Sequence, residues 1–210
     1  MFAPEGWPFI LGGAAFSTVA GLVWPRWMPL VAVGVVFTLF SLWFFRNPDR
    51  TPPSGEGIVV SPADGKVVYS GDAPPGRYTA AAGKRISVFM SPLDVHVNRA
   101  PVSGRVASVM YNPGKFHAAN VEKASLLNEQ NGVEIVTAGG RSVTYVQIAG
   151  WIARRIVCDV RAGDEVRVGQ RVGMIRFGSR LDVFLPPDAQ LRVAPGDRVR
   201  AGETVLGVLR

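Results

Sequence analysis

Two uncharged apolar stretches occupy residues 6–25 and 27–45 of this 210-residue chain. Each is close to the roughly 20 residues that an α-helix needs to cross the hydrocarbon core of a bilayer. They meet at residues 25–29, PRWMP, which are rich in turn-forming proline, and four of the five tryptophans lie at or near the ends of the stretches. The pattern predicts a membrane-associated helical hairpin over residues 1–45. Its alternative is a pair of buried helices in a soluble domain.

A change in composition follows the second stretch. Residues 46–57, RNPDRTPPSGEG, combine proline, glycine and charge, which predicts a linker. Arg46 and Arg50 come directly after the apolar residues, and the positive-inside tendency therefore predicts that the rest of the chain lies on the cytoplasmic face of the cell membrane. Arg26, at the hairpin tip, favours the opposite orientation. The first residues, MFAPEGW, lack the basic segment of a signal peptide.

The formal net charge is +7, carried mostly by arginines after residue 84. Nucleic acid or an anionic lipid surface would attract such a chain. Because no basic stripe is interleaved with aromatic residues, we expect an anionic membrane and no nucleic acid as partner. The single cysteine, Cys158, excludes an intramolecular disulfide. With two histidines and no cluster of cysteines or carboxylates, no metal site is expected.

Residues 58–210 consist of short β-branched runs separated by glycine and proline. This pattern predicts an antiparallel, mainly β domain. Residues 118–132, AANVEKASLLNEQNG, are the exception and are predicted to carry a short helix or a loop.

Two weak internal repeats refine that fold. SPADGKV at 61–67 aligns with APVSGRV at 100–106, and AGDEVRVGQRV at 162–172 aligns with PGDRVRAGETV at 195–205. Repeated turn glycines predict repeated hairpins. These hairpins resemble those of biotinyl and lipoyl carrier domains, and we therefore expect an antiparallel β-sandwich. The likeness leaves open a carrier function, although Lys66 is a poor match to a carrier lysine.

General acid–base chemistry at neutral pH would depend on His96 or His117, because histidine alone titrates there unperturbed. If His96 lies in a strand, alternation places Asp94, His96 and Asn98 on one face. From spacing alone, that face is equally compatible with a catalytic site and with an outward, solvated surface.

The dipeptide Gly178-Ser179 lies between two apolar runs. Glycine leaves its peptide carbonyl open to attack by a neighbouring hydroxyl group, but the pair also fits an ordinary turn. Asp64, in SPADGK, likewise fits a turn when it is considered alone.

Four segments in order carry a family resemblance: VVSPADGKV, FMSPLDVHVNRAPVSG, GKFHAANVEKASLLNEQN and RFGSRLDVFLP. Together they resemble the phosphatidylserine decarboxylases, in particular their short bacterial and archaeal-like form. The resemblance covers residues 46–210, and a preceding apolar hairpin is also typical of the short form.

The resemblance implies a proenzyme that cleaves itself. Ser179 would attack the carbonyl carbon of Gly178, and the resulting ester would eliminate to chains 1–178 and 179–210, which stay associated. The serine remnant would become a pyruvoyl group, the covalent cofactor. Serine needs a base that an acid holds in place, and by analogy this set is Ser179, His96 and Asp64.

The same resemblance implies the reaction. The pyruvoyl group would form a Schiff base with phosphatidylserine in the membrane and release carbon dioxide, which gives phosphatidylethanolamine. A homo-oligomer is left open, as is an inactive, membrane-tethered β scaffold.

Two positions depart from the long-form family pattern. Arg99 stands where the long form has a second histidine, so His96 serves both self-cleavage and decarboxylation, or His117 serves one of them. Arg180 follows the serine in place of threonine or serine. We predict that Arg180 and Arg99 bind the phosphate or carboxylate of the substrate.

Overall fold

The computed structural model describes residues 1–23, 28–79, 81–114, 128–150, 155–176 and 179–210. The chain divides into two compact units, Met1–Asp49 and Arg50–Arg210. The boundary between them falls inside the segment 46–57, whose composition predicts a linker.

The first unit contains two apolar helices. A 3₁₀ turn at Pro4–Gly6 leads into helix α1, Trp7–Val23, and helix α2 spans Met28–Phe44. By length and composition, Pro4–Val23 is the one helix in the described part of the chain that suffices to cross a membrane, whereas α2 is shorter, at 17 residues. The predicted turn at 25–29 lies largely outside the described residues. The apolar N-terminal helix is therefore confirmed, while a full two-helix span and its cytoplasmic orientation stay predictions.

The two helices pack closely and expose apolar side chains. A Cβ atom on Gly34 would lie 2.3 Å from Oγ of Ser17, so the small residue lets α2 approach α1. Leu11 and Leu22 are 61% and 79% exposed. Exposed apolar surface costs about 25 cal/mol per Å² in water, and lipid removes that cost. The exposed apolar residues favour a membrane location over a soluble domain with two buried helices.

The second unit is built from strands. Its described strands are β1 (Ile58–Val60), β2 (Gly65–Ala73), β3 (Gly83–Met90), β4 (Val97–Arg99), β5 (Gly104–Asn112), β6 (Gln130–Val136), β7 (Ser142–Ile148), β8 (Ile156–Cys158), β9 (Glu165–Val166), β10 (Arg171–Ile175), β11 (Ser179–Leu185), β12 (Gln190–Leu191), β13 (Arg198–Val199) and β14 (Val205–Val208).

These strands form three antiparallel sheets. The largest has the order β13-β2-β3-β11-β7-β6-β5-β9, and the others have the orders β1-β14-β12 and β4-β10-β8. The prediction of a mainly β fold with antiparallel sheets is confirmed. In the segment 118–132, however, the last three residues begin strand β6, and residues 115–127 lie outside the described part of the chain.

Strand alternation gives the large sheet one inner face. Leu181 and Val183 of β11 lie opposite Val88 and Ile86 of β3, and all four are fully buried. They belong to one hydrophobic cluster with residues of the smaller sheets, such as Leu206. Burial of one such side chain contributes about 1.5–3 kcal/mol, so this cluster fixes which face of β11 points inward.

The two sequence repeats occupy equivalent places in the large sheet. Gly65 pairs with Val199 at one edge, and Gly104 pairs with Val166 at the other. A Cβ atom at either glycine would lie within 2.3 Å of a carbonyl oxygen of the neighbouring strand, which excludes any larger residue.

The hydrogen bonds of the repeats also correspond. Val67 receives a hydrogen bond from the N–H of Gly196, and Val106 receives one from the N–H of Gly163, each at 2.8 Å. The repeats are thus similar in structure as well as in sequence. The likeness to biotinyl and lipoyl carrier domains stays a prediction. Lys66 lies within β2, paired with Arg198, rather than at a hairpin tip as a carrier lysine would.

Candidate active site

A junction between two sheets brings the predicted serine and histidine to one region. At one end of the junction, Met90 of β3 pairs with Ser179 of β11. At the other end, the N–H of Ile175 in β10 donates to the carbonyl of His96, at 3.4 Å. A short connection runs from Met90 to His96, and another from Ile175 to Ser179. Met90 at the start of the first connection neighbours Ser179 at the end of the second, and His96 at the end of the first neighbours Ile175 at the start of the second. His96 and Ser179 therefore belong to the same junction, one at each end of it.

His96 is fully buried and precedes strand β4 directly. Its Nδ1 atom lies 2.9 Å from the carbonyl oxygen of Asp94. A carbonyl only accepts hydrogen bonds, so this contact assigns the proton to Nδ1 and leaves Nε2 as the basic atom of the neutral ring. Asn98 is also fully buried. Asp94 and His96 both precede β4, so the three residues do not form one strand face, and Asp94 is only partly buried. For His96 and Asn98, which are buried, the solvated alternative is wrong.

Ser179 is the first residue of β11 and is fully buried. Its hydroxyl donates to the thioether sulfur of Met90, at 3.4 Å. Ser179 thus belongs to a strand rather than to a hairpin turn, which removes the turn alternative for the serine. Gly178 and His117 lie outside the described residues. Thioether sulfur is a weak acceptor, so the Ser179 hydroxyl loses little free energy when it leaves this sulfur for another acceptor.

A chain of buried amides leads to this sulfur. Asn98 donates to Sδ of Met90 at 3.8 Å, Gln147 donates to Oδ1 of Asn98 at 3.0 Å, and Asn131 donates to Oε1 of Gln147 at 3.0 Å. Gln147 also donates to the carbonyl of Val157, at 3.1 Å. The sequence pattern around His96 singled out Asn98, but no pattern singled out Gln147 or Asn131. The available signal was weak: Asn131 and Gln147 lie in β-type segments that also contain other polar residues, and only their burial shows that they need partners.

Replacement of Gln147 by leucine is expected to lower the free energy of unfolding by about 2–4 kcal/mol, because it leaves Asn98, Asn131 and the Val157 carbonyl without their amide partner. The melting temperature should fall by roughly 5–15 °C in detergent-solubilised protein. The exposed Gln170→Leu serves as the control and should change it by far less. Equal melting temperatures for Gln147→Leu and the parent would show that the amide chain does not stabilise the core.

Asp64 lies in the turn before β2 and is held at both carboxylate oxygens. Oδ2 accepts from Nη2 of Arg50 at 2.8 Å, and Oδ1 accepts from the backbone N–H of Ala201 at 2.8 Å. The same turn is attached to β4, since the N–H of Arg99 donates to the carbonyl of Pro62 at 2.9 Å. The fold therefore connects the turn of Asp64 to the strand that His96 precedes.

The two arginines predicted to bind substrate have protein partners. By alternation, Arg180 projects from the face of β11 opposite to that of Ser179, and its Nη2 donates to Oδ2 of Asp182 at 3.0 Å. Arg99 donates to the carbonyl of Gly169 at 2.9 Å. A role for either residue in substrate binding stays a prediction.

Tyr145 is the large ionisable side chain on the inner face beside Gln147, and it is fully buried. Burial raises the pKa of its phenol well above the usual value, and the nearby Cys158 and Asp159 raise it further. The phenol therefore stays protonated at neutral pH and cannot serve as a base. Among the described residues, no group of three or more His, Cys, Asp or Glu side chains is placed to hold a metal ion.

A serine nucleophile needs a nearby base, and the buried Ser179 and His96 are residues of the types that this chemistry requires. The family model of phosphatidylserine decarboxylase matches residues 37–207. A phosphatidylserine decarboxylase proenzyme of Geotalea uraniireducens (strain Rf4) is 50% identical over 207 residues, covering 99% of this chain and 96% of that protein. Those of Syntrophus aciditrophicus (strain SB) and Paramagnetospirillum magneticum are 46% and 48% identical, over 98% of this chain and over 96% and 85% of theirs. The chain belongs to the phosphatidylserine decarboxylase family and is a decarboxylase.

Proposed function

We propose that this chain is a proenzyme that cleaves itself between Gly178 and Ser179 and then converts phosphatidylserine to phosphatidylethanolamine. The observation that carries the proposal is the burial of Ser179 at the head of a central strand, in the same sheet junction as the buried His96. Family membership and the proenzyme names of the relatives support it.

Cleavage begins with removal of the Ser179 hydroxyl proton by Nε2 of His96. The oxygen attacks the carbonyl carbon of Gly178, the bond from that carbon to the nitrogen of Ser179 breaks as His96 returns the proton to that nitrogen, and an ester forms. Loss of the Cα proton of Ser179 then expels the carboxylate of Gly178 and leaves dehydroalanine. Water replaces the nitrogen, ammonia departs, and a pyruvoyl group remains. The hydroxyl oxygen of Ser179 ends in the new carboxylate of Gly178, and the backbone nitrogen of Ser179 leaves as ammonia.

Asp64 favours, through its negative charge, the positive imidazole ring that forms when His96 accepts the proton, while the Nδ1 hydrogen bond of that ring goes to the carbonyl of Asp94. A carboxylate does this without taking up the proton itself. Arg50 and the N–H of Ala201 donate hydrogen bonds to this carboxylate.

The position of Ser179 fits a pyruvoyl cofactor. After cleavage residue 179 would be the first of β11, which pairs with β3 on one side and with β7 on the other, so the strand holds the group in a buried place. Such a group supplies a ketone that condenses with the amine of the substrate and accepts the electrons released with carbon dioxide. The site therefore needs no separately bound organic cofactor.

The two products of cleavage remain associated in this proposal. Strands β11 to β14 all lie in residues 179–210, and each pairs with a strand of the opposite fragment or with one that does. The apolar helix Pro4–Val23 places the long fragment at the membrane that contains the lipid substrate, and we assign the catalytic unit to the cytoplasmic face.

Analysis of the purified chain tests this function. Denaturing electrophoresis with intact mass measurement should show fragments 1–178 and 179–210, and the shorter one should be blocked to amino-terminal sequencing because it lacks an amine. A Ser179→Ala chain supplies the mass of the uncut protein. A preparation that decarboxylates phosphatidylserine yet contains only the full-length chain would refute the mechanism.

A further inference from the structure

Arg50 forms a two-armed ion pair at the start of the second unit. Its Nη2 atom donates to Asp64 at 2.8 Å, and its Nη1 atom donates to Oε2 of Glu203 at 3.0 Å. The side chains of Arg50 and Asp64 are only 10% and 14% exposed. A pair that is mostly withdrawn from water is screened less than a surface pair, and the planar guanidinium restricts both carboxylates to one geometry.

The internal repeat separates two roles of Asp64. In the first half of the alignment, Asp64 accepts a hydrogen bond from the N–H of Ala201, at 2.8 Å. In the second half, the equivalent Ser103 accepts one from the N–H of the equivalent residue, Val168, also at 2.8 Å. A neutral hydroxyl therefore suffices to close this turn.

The negative charge at position 64 is thus more than the turn requires. Arg50 contacts that charge, through the carboxylate oxygen that Ala201 does not use. The arginine therefore contacts the negative charge of Asp64, which Ser103 lacks.

We infer that Arg50 is a positioning residue for Asp64, which it holds in the orientation needed to support His96 during self-cleavage. This inference rests on the proposed function. Glu203 is the second anchor of the guanidinium and belongs to the short fragment, whereas Arg50 and Asp64 belong to the long one. The arrangement thus makes the orientation of Asp64 depend on correct docking of residues 179–210 before the chain is cut.

Cell-free synthesis of the full chain into lipid nanodiscs tests the inference, with the appearance of fragment 1–178 followed over time. Arg50→Ala should slow cleavage by about 10- to 100-fold, the size expected when a catalytic group is misplaced by about 1 Å. Arg50→Lys keeps the charge but lacks the fork, and should be slowed less. Added guanidinium, but not sodium at equal ionic strength, should partly restore Arg50→Ala.

Arg141→Ala is the matched control, because it removes another arginine that pairs with an aspartate, Asp188, at a more exposed place. It should cleave at the parental rate. Melting temperatures in a Ser179→Ala background separate positioning from folding. A parental rate for Arg50→Ala would overturn the inference, as would a slow rate that guanidinium does not improve and that follows a lower melting temperature. A parental chain that stays uncut would instead overturn the proposed function.

Discussion

Replacement of His96 by glutamine is expected to slow self-cleavage by about 10³- to 10⁴-fold, so that newly made protein stays a single chain. Glutamine retains a donor for the carbonyl of Asp94 and fills much of the buried space, but its neutral amide cannot take the hydroxyl proton of Ser179. The rate is measured by cell-free synthesis into nanodiscs, with electrophoresis of samples taken over time.

His117→Gln is the companion variant, because His117 is the other histidine of the chain. If His96 is the base for cleavage, His117→Gln should cut normally, and the activity of the cut enzyme then shows whether His117 takes part in decarboxylation. Normal cleavage by His96→Gln would refute the assignment of the base. Arrest by His117→Gln alone would transfer the role to His117.

Local sequence pattern was sufficient to predict the element types. Uncharged length predicted helices close to Trp7–Val23 and Met28–Phe44, and β-branched runs between glycines predicted the antiparallel strands. These signals depend on neighbouring residues only, because helix and strand periodicity are local properties. The repeats could also be found from sequence, since each glycine permits the same close approach of a neighbouring strand.

Contacts between distant segments could not be predicted in the same way. The pairing of Met90 with Ser179 depends on sheet order, and nothing in either segment specifies the other. For the same reason Gln147 gave no sign of its partner Asn98. Arg50 was interpreted only as a positive charge after an apolar stretch, whereas its side chain forms an ion pair with Asp64. A charged residue in a linker has several possible partners until the fold brings one of them near.

Replacement of Asp64 by serine is expected to keep the turn closed but to slow self-cleavage by about 10³- to 10⁴-fold. Ser103 shows that a hydroxyl at this position of the repeat can accept the backbone hydrogen bond that closes the turn. The variant therefore removes the charge that supports His96 while it keeps an oxygen for the N–H of Ala201. Cleavage is followed over time, and folding is followed by the melting temperature in a Ser179→Ala background.

The reciprocal control is Ser103→Ala, which removes the turn acceptor in the half of the repeat that carries no predicted catalytic residue. It should lower stability by about 0.5–2 kcal/mol, as loss of a comparable side-chain cap does, and should leave the cleavage rate unchanged. Asp64→Ser and Ser103→Ala thus alter equivalent positions, and only Asp64→Ser is expected to change the cleavage rate. Cleavage of Asp64→Ser at the parental rate would show that the carboxylate is only a turn acceptor, and the proton of Ser179 would then be removed without its help.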